Sequence, residues 1–200
     1  MDENHLQKTT NPYSSSKKMS EKIITDTATD NNFNYSILRY FNPAGAHDSG
    51  LIGDNFYSNP SNLFPIISKV AKKEIPFLKV FGNNYNTHDG TAIRDYIHIS
   101  DLANGHILSL KQLIDKKQSH TINLGSGKGY TVLEVIECYN KFLQENLNYK
   151  FFPRRKGDKE CVYADISLAN QLINWKPEKT LYDMCESSWN AVKENNFNKS

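Results

Sequence analysis

The sequence predicts an α/β fold. Several stretches carry apolar residues at helical spacing, and most are followed within a few residues by a short run rich in β-branched and aromatic side chains. Helices that feed directly into strands are the signature of a repeating α/β unit. Two hundred residues at 38% hydrophobic composition suit one or two globular units with a real core.

The first helix is predicted to start around Asn11-Pro12-Tyr13 and to carry Met19, Ile23, Ile24 and Thr27 as a stripe, ending near Asn31-Asn32. Tyr35 to Tyr40 follows as a strand. From Phe41 to Asn62 the chemistry is that of loops, with Asn42-Pro43-Ala44-Gly45 and Asn59-Pro60-Ser61-Asn62 as turns. Phe41, Phe56 and Tyr57 argue that this long segment packs against something. A helix is expected over 63–72, with Pro65 tolerated in its first turn. Phe77 to Phe81 is a short strand, Gly82 to Thr91 a polar loop, and Arg94 to His98 another short strand.

Asp101 has the chemistry of a helix N-cap, with Leu102, Ala103, Ile107, Leu110, Leu113 and Ile114 as the expected inner face. Thr121 to Leu124 is a strand. The next helix has the cleanest period, through Val132, Val135, Ile136, Tyr139, Phe142 and Leu143, and Thr131 with Glu134 fits a capping box. Tyr149 to Phe152 is a strand, followed by the basic loop Pro153-Arg154-Arg155-Lys156-Gly157-Asp158. Helices over 167–173 and 180–194 and a tail from Asn195 complete the chain, which shows no internal repeat.

Lys and Arg number 24 against 22 acidic residues, so the net charge of +2 gives no argument for a nucleic-acid or membrane partner. No apolar run is long enough to span a bilayer. The first residues, Met1-Asp2-Glu3-Asn4-His5, are polar and unlike a targeting segment, and three cysteines without paired spacing suit reduced thiols in a cytoplasmic setting.

Tyr13 and Lys17 stand four residues apart and so rise from one helix face. A phenol titrates near 10, and bringing it to about 7 takes roughly 4 kcal/mol of preferential stabilisation of the phenolate. A close ammonium, aided by a second cation, supplies charge of the right sign, which makes Tyr-x-x-x-Lys a plausible acid/base pair. The common alternative is an aromatic anchor beside a solvated lysine. Gly125-Ser126-Gly127-Lys128-Gly129 lies between a strand and a helix, but Tyr130 occupies the position of the third glycine in a dinucleotide fingerprint. No Ser or Thr follows a Gly-Lys pair as a phosphate loop requires, so a tight turn is the better reading. The six histidines lack ligand spacing and no Gly-x-Ser-x-Gly occurs. Arg94 and the Arg154/Arg155 pair sit at loop edges, where guanidinium forks suit phosphate oxygens, and Asn42 and Asn62 add amides suited to sugar hydroxyls or a uracil edge.

Together these segments resemble the UDP-glucose 4-epimerase family: Asn-Pro-Tyr-x-x-x-Lys at 11–17, Leu-Arg-Tyr-Phe-Asn-Pro-x-Gly-Ala-His at 38–47, Asp-Gly-Thr-x-x-Arg-Asp-Tyr-Ile-His-x-x-Asp-Leu-Ala-x-Gly-His at 89–106, Asn-Leu-Gly-x-Gly at 123–127 and Pro-Arg-Arg-x-Gly-Asp at 153–158. The resemblance implies the carboxyl-terminal part of a doubly wound NAD-binding fold (about 1–41 and 99–126) plus a smaller mixed α/β substrate domain (about 42–98 and 127–194). The family's amino-terminal glycine-rich half, with its Ser or Thr for the sugar 4-hydroxyl, is expected to be absent. It implies NAD as cofactor and UDP-glucose and UDP-galactose as substrates, interconverted at carbon 4 through a 4-keto sugar. Tyr13 would be the catalytic base, Lys17 would hold the nicotinamide ribose and lower the Tyr13 pKa, and Tyr40 would lie near the nicotinamide. Asn42, Asn62, Leu63, Val80, Phe81, Arg94, Arg155 and Asp158 would contact the substrate, with Val162 beside the sugar 2-position. Alternatives are a UDP-pentose or UDP-N-acetylhexosamine epimerase and a UDP-sugar-binding module without turnover. The family is often a homodimer through a helix pair that includes the Tyr13 helix. On this reading the 200-residue chain alone is expected neither to retain NAD nor to epimerise.

Overall fold

A computed structural model of the chain describes residues 1–5, 9, 11–50, 52 and 60–194. Phe56, Tyr57 and the expected tail lie outside them. The elements run in the order α1 (Pro12–Asn31), β1 (Ser36–Tyr40), β2 (Asn42–Ala44), α2 (Leu63–Ala71), β3 (Leu78–Phe81), β4 (Ile93–Arg94), β5 (Tyr96–His98), α3 (Ile99–Lys116), β6 (His120–Leu124), β7 (Tyr130–Thr131), α4 (Val132–Leu143), β8 (Tyr149–Phe152), β9 (Cys161–Val162), α5 (Ser167–Ile173) and α6 (Leu181–Glu194). Parallel pairs join β1 to β6, β2 to β5 and β3 to β8, while β4 lies between antiparallel β7 and parallel β9. All three cysteines are free thiols, and among the described residues no helix is long and apolar enough to cross a membrane.

Two apolar clusters hold these elements. Around β1 and β6, Ile97, Ile122, Leu124, Ala169, Ile173 and Trp175 pack with Leu38, Leu102 and Leu108. A second cluster joins α2, β3, α4 and α6 through Phe64, Ile67, Leu78, Val80, Tyr139, Met184 and Cys185, with Tyr96 from β5. The α4 expectation holds: Val135, Ile136 and Tyr139 are buried, and Thr131 and Glu134 close a reciprocal capping box.

Several expectations fail, each for a local reason. Asp101 is not a cap. His98 caps α3, its ring accepting from the Ser100 N–H at 3.1 Å. The Asp101 carboxylate instead accepts from the Glu178 and Lys179 N–H groups, and its carbonyl accepts from the Trp175 indole. The inner face of α3 is only in part the expected apolar stripe, from which Leu102 packs against the core. Asp101, Gly105 and Ser109 are buried, whereas Ile107, Leu110 and Ile114 are exposed. The helix lies so close that a Cβ on Gly105 would sit 2.9 Å from Leu124, so small residues line the contact. The segment Arg94 to His98 breaks at Asp95 into two strands with different partners, and Asn42-Pro43-Ala44 is a strand on β5 rather than a loop.

α1 begins where Asn11 accepts the Ser14 N–H at 2.8 Å and Pro12 takes the first helical position. Its Met19, Ile23 and Ile24 stripe is exposed and only Ala28 is buried. A forked ion pair ties it to the body of the fold. Arg39 of β1 donates through Nε and Nη2 to both Glu21 oxygens at 2.8 and 2.7 Å, and through Nη1 to the Glu3 carbonyl at 2.7 Å. The Glu21 hydrogen bond raises the Arg39 pKa.

His98 is fully buried and its tautomer is fixed by its partners. Nδ1 accepts from Ser100, so Nε2 carries the proton towards Ser187 Oγ at 3.0 Å. Ser187 donates in turn to the Asp183 carbonyl and accepts from the Ala46 N–H. Burial holds the His98 pKa below its ordinary value, against the pull of Asp101, Asp48 and Asp183 and with that of Lys179. The unfolded chain therefore binds a proton near pH 6.5 that the folded chain refuses. Stability is expected to be full above about pH 6.5 and to fall as the pH drops from there towards the folded-state value. Urea midpoints measured between about pH 7.5 and 5.5 check this: His98→Gln should flatten the slope, and an unchanged slope would contradict the assignment.

Candidate functional site

Two cavities meet on the face formed by the ends of β1, β2, β4 and β9. The larger, about 810 Å³, is lined by Asn42, Asn62, Leu63, Phe77, Lys79, Val80, Phe81, Arg94, Arg155 and Asp158, among others. The smaller, about 520 Å³, is lined by Tyr13, Arg39, Tyr40, Phe41, Asn42, Arg94, Lys159 and Val162, among others. Asn42 and Arg94 belong to both. Every site residue predicted from the sequence thus lines one or both cavities except Lys17, which stands over Tyr13 with Nζ 5.4 Å from the ring centroid.

Asp95 builds the junction. It is fully buried between strands, and Oδ1 accepts from the Ser126 N–H and hydroxyl, each at 2.7 Å. Oδ2 accepts from the Gly127 and Ala164 N–H groups at 3.2 and 3.0 Å. Its main chain ties the site residues together: the carbonyl accepts from both the N–H and the side-chain amide of Asn42, and its N–H donates to the Val162 carbonyl. Burial pushes the Asp95 pKa up, and the donors from Ala164, Ser126 and Gly127 pull it back. The Gly-Ser-Gly turn serves this carboxylate, since its N–H groups already have an internal anion as partner. A Cβ on Gly125 would lie 2.5 Å from Asp95 Oδ2.

In the larger cavity, Arg94 donates through Nη1 to the Ile93 carbonyl at 2.7 Å and pairs through Nη2 with Asp158. Arg155 lies over the Phe81 ring, its Cζ 4.0 Å from the centroid. Two loops remote in sequence therefore present two guanidinium groups and one carboxylate to the same space. The Val80 side chain is core, 1% exposed. In a parallel ladder, alternate residues point their main-chain groups to opposite neighbours. The N–H groups of Leu78 and Gly82 donate towards β8, so Val80 faces that way too. Lys79 and Phe81 therefore turn their N–H and C=O groups away from β8, the edge along which the cavity runs. Lys79, which also lines the cavity, was not singled out in the sequence. Asn62 stands at the N-cap position of α2 without a capping bond from its side chain.

In the smaller cavity, Tyr13 is 71% exposed on the first turn of α1, and Tyr40 ends β1 with its ring 6.1 Å from that of His106. The Arg39–Glu21 pair fixes the distance between these two elements. Among the described residues no cluster of His, Cys, Asp or Glu could hold a metal ion.

An α/β fold carrying a Tyr-x-x-x-Lys helix beside an arginine-lined cavity defines the class, and comparison with known proteins agrees. Residues 1–125 match the NAD dependent epimerase/dehydratase family, to which the chain belongs. It is 46% identical over 188 residues to a UDP-glucose 4-epimerase of Haemophilus influenzae, covering 94% of this chain and 56% of the relative. A UDP-glucose 4-epimerase from Bifidobacterium longum, solved with NAD+ and UDP, superposes with a TM-score of 0.92 at 43% identity, covering 98% of this chain and 59% of that one. A UDP-glucose-4-epimerase from Stenotrophomonas maltophila with NAD and formylated UDP-arabinopyranose gives 0.93 at 40%, covering 96% and 57%. The chain thus spans a little over half the length of these relatives.

Asp95→Asn tests the junction. An amide keeps one accepting oxygen and turns an NH₂ towards two N–H or O–H donors, at a cost of about 1–3 kcal/mol for each donor left unpaired. The variant is expected to unfold at clearly lower urea than the parent, and equal midpoints would contradict the role given to this carboxylate.

Proposed function

We propose that the chain carries the UDP-sugar site and the proton-transfer pair of an NAD-dependent epimerase that interconverts UDP-glucose and UDP-galactose at carbon 4. The observation that supports this most is the junction at Asn42 and Arg94, which joins an arginine-lined chamber to the cleft of Tyr13 and Tyr40. The relatives named above are UDP-glucose 4-epimerases, one solved with NAD+ and UDP.

In this reading the uracil edge meets the main chain of Lys79 and Phe81, and Arg94 and Arg155 fork onto the diphosphate. Asp158, released from Arg94, turns to the ribose. Asn42 and Asn62 face the substrate, and Leu63 closes the chamber. The hexose then lies in the smaller cleft beside Tyr13 and Tyr40, and turns over there while the arginines of the larger chamber keep its nucleotide fixed. Tyr13 takes the proton from the 4-hydroxyl as the 4-keto sugar forms, and returns it after the ring has turned. The exposed Tyr13 ring, Lys17 and Tyr40 form an open polar and aromatic floor that fits a nicotinamide riboside, and these three residues would hold it. NAD, when bound, supplies the hydride acceptor and donor that epimerisation at a carbinol carbon requires.

Val162 lines the cleft without a polar group, and the Stenotrophomonas relative carries a UDP-pentose, so UDP-pentoses and UDP-N-acetylhexosamines belong in the substrate panel. Calorimetric titration with UDP gives the direct test. The chain is expected to bind, and Arg94→Ala and Arg155→Ala are each expected to weaken binding by about tenfold or more. Tyr13→Phe should leave UDP affinity unchanged, because Tyr13 lines only the smaller cleft. Absence of UDP binding would overturn the proposal, whereas UDP binding without conversion of UDP-galactose by this chain alone agrees with the expectation above.

We also propose that a second copy covers the exposed apolar stripes of α1 and α3, Met19, Ile23 and Ile24 on one and Ile107, Leu110 and Ile114 on the other. Sedimentation equilibrium should give a dimer that Ile23→Glu converts to a monomer. A monomeric parent would refute it.

A further inference from the structure

Arg154 and Arg155 are adjacent, yet they face opposite ways. Arg155 lies over Phe81 and lines the larger cavity, whereas Arg154 does not reach it. Arg154 instead grips the loop that follows β3. Its Nε donates to the Asn84 side-chain oxygen at 2.7 Å, its Nη2 donates to the Asn84 carbonyl, and its guanidinium stacks over the buried Tyr85 ring with Cζ 4.0 Å from the centroid. The fork on one residue and the stack on the next fix the guanidinium in both plane and depth.

The gripped loop is itself anchored. The Tyr85 N–H donates to the Gly90 carbonyl, and Asp89 accepts from the Thr91 N–H and hydroxyl and from the Thr131 hydroxyl at the start of α4. On the other side, Arg154 opens the turn in which the Asp158 N–H donates to the Arg155 carbonyl. That turn is otherwise exposed, and Arg155 and Asp158 are its two groups facing the cavity. Arg154 thus connects a rigid support to a turn whose other side-chain ties are the Arg94–Asp158 ion pair and the stack of Arg155 on Phe81. The Tyr85 hydroxyl has no hydrogen-bond partner among the described residues, so Tyr85 serves the clamp through its ring alone.

We propose that Arg154 is a positioning residue for diphosphate binding. By clamping the 82–91 loop to the 153–158 turn, it sets where Arg155 meets the diphosphate, and this rests on the UDP-site reading above. Arg154 makes no ligand contact of its own, so its whole effect on affinity passes through Arg155.

A double-mutant cycle read by UDP calorimetry tests this. Arg154→Ala is expected to weaken UDP binding by about tenfold in the parent and to have no further effect in an Arg155→Ala background. Arg154→Lys keeps the charge but loses the fork, and should weaken binding nearly as much. Tyr85→Phe should bind like the parent. If Arg154→Ala proves too unstable to assay, the Lys variant carries the same cycle. Equal losses in both backgrounds, or full affinity in Arg154→Lys, would overturn the positioning role while leaving the UDP site intact. A parent chain that does not bind UDP would overturn the site reading and this inference together.

Discussion

A buried carboxylate is costly unless it is fully satisfied, and Asp95 is satisfied only because three segments converge on it. The Ser126–Gly127 turn and Ala164 supply the donors, while Asn42 and Val162 bond its main chain. That single residue lies between Arg94 and Tyr96, at the break where the chain leaves one sheet and enters another. The arginine and the amide shared by both cavities and the valine of the cleft are therefore fixed relative to one another by one set of hydrogen bonds. Low dielectric strengthens such a network when it is complete and penalises it when it is not.

Charge is distributed around this node with the same economy. Arg94 is held by Asp158, Arg154 by Asn84 and Tyr85, and Arg39 by Glu21 and Glu3. Of the guanidinium groups near the two cavities, Arg155 rests on an aromatic face and Arg94 pairs with the Asp158 carboxylate, and these are the two that the proposed reading assigns to the diphosphate. The others are structural, with α1 and its Tyr13–Lys17 pair dependent on the Arg39 fork because so little apolar surface holds that helix down.

The long helices and the longer strands were legible in the sequence, since α4 and β6 combine clear periodicity with recognisable caps and flanks. The two- and three-residue strands β2, β4, β7 and β9 were not, because so short an element shows no period and exists only through distant partners. The faces of α3 and α1 were misread for a different reason. Hydrophobic spacing assumes that large apolar residues mark the buried side, whereas α3 docks through the buried Gly105 and Ser109 with only Leu102 and Leu108 of its leucines packed beside them, and α1 docks through an ion pair. Most of the residues that motif resemblance singles out line the two cavities around Asn42 and Arg94. What supports them was not legible: Arg39–Glu21, Asp95–Ala164 and Arg154–Asn84 join positions far apart in the chain, and no motif singles out Lys79.

The measurement that bears most directly on this account is a crystal structure of the chain with UDP. The account predicts the diphosphate between Arg94 and Arg155, with Asp158 released from Arg94 and the uracil edge on the main chain of Lys79 and Phe81. A structure in which UDP lies elsewhere, or in which Arg94 keeps Asp158 and leaves the diphosphate to other groups, would contradict it.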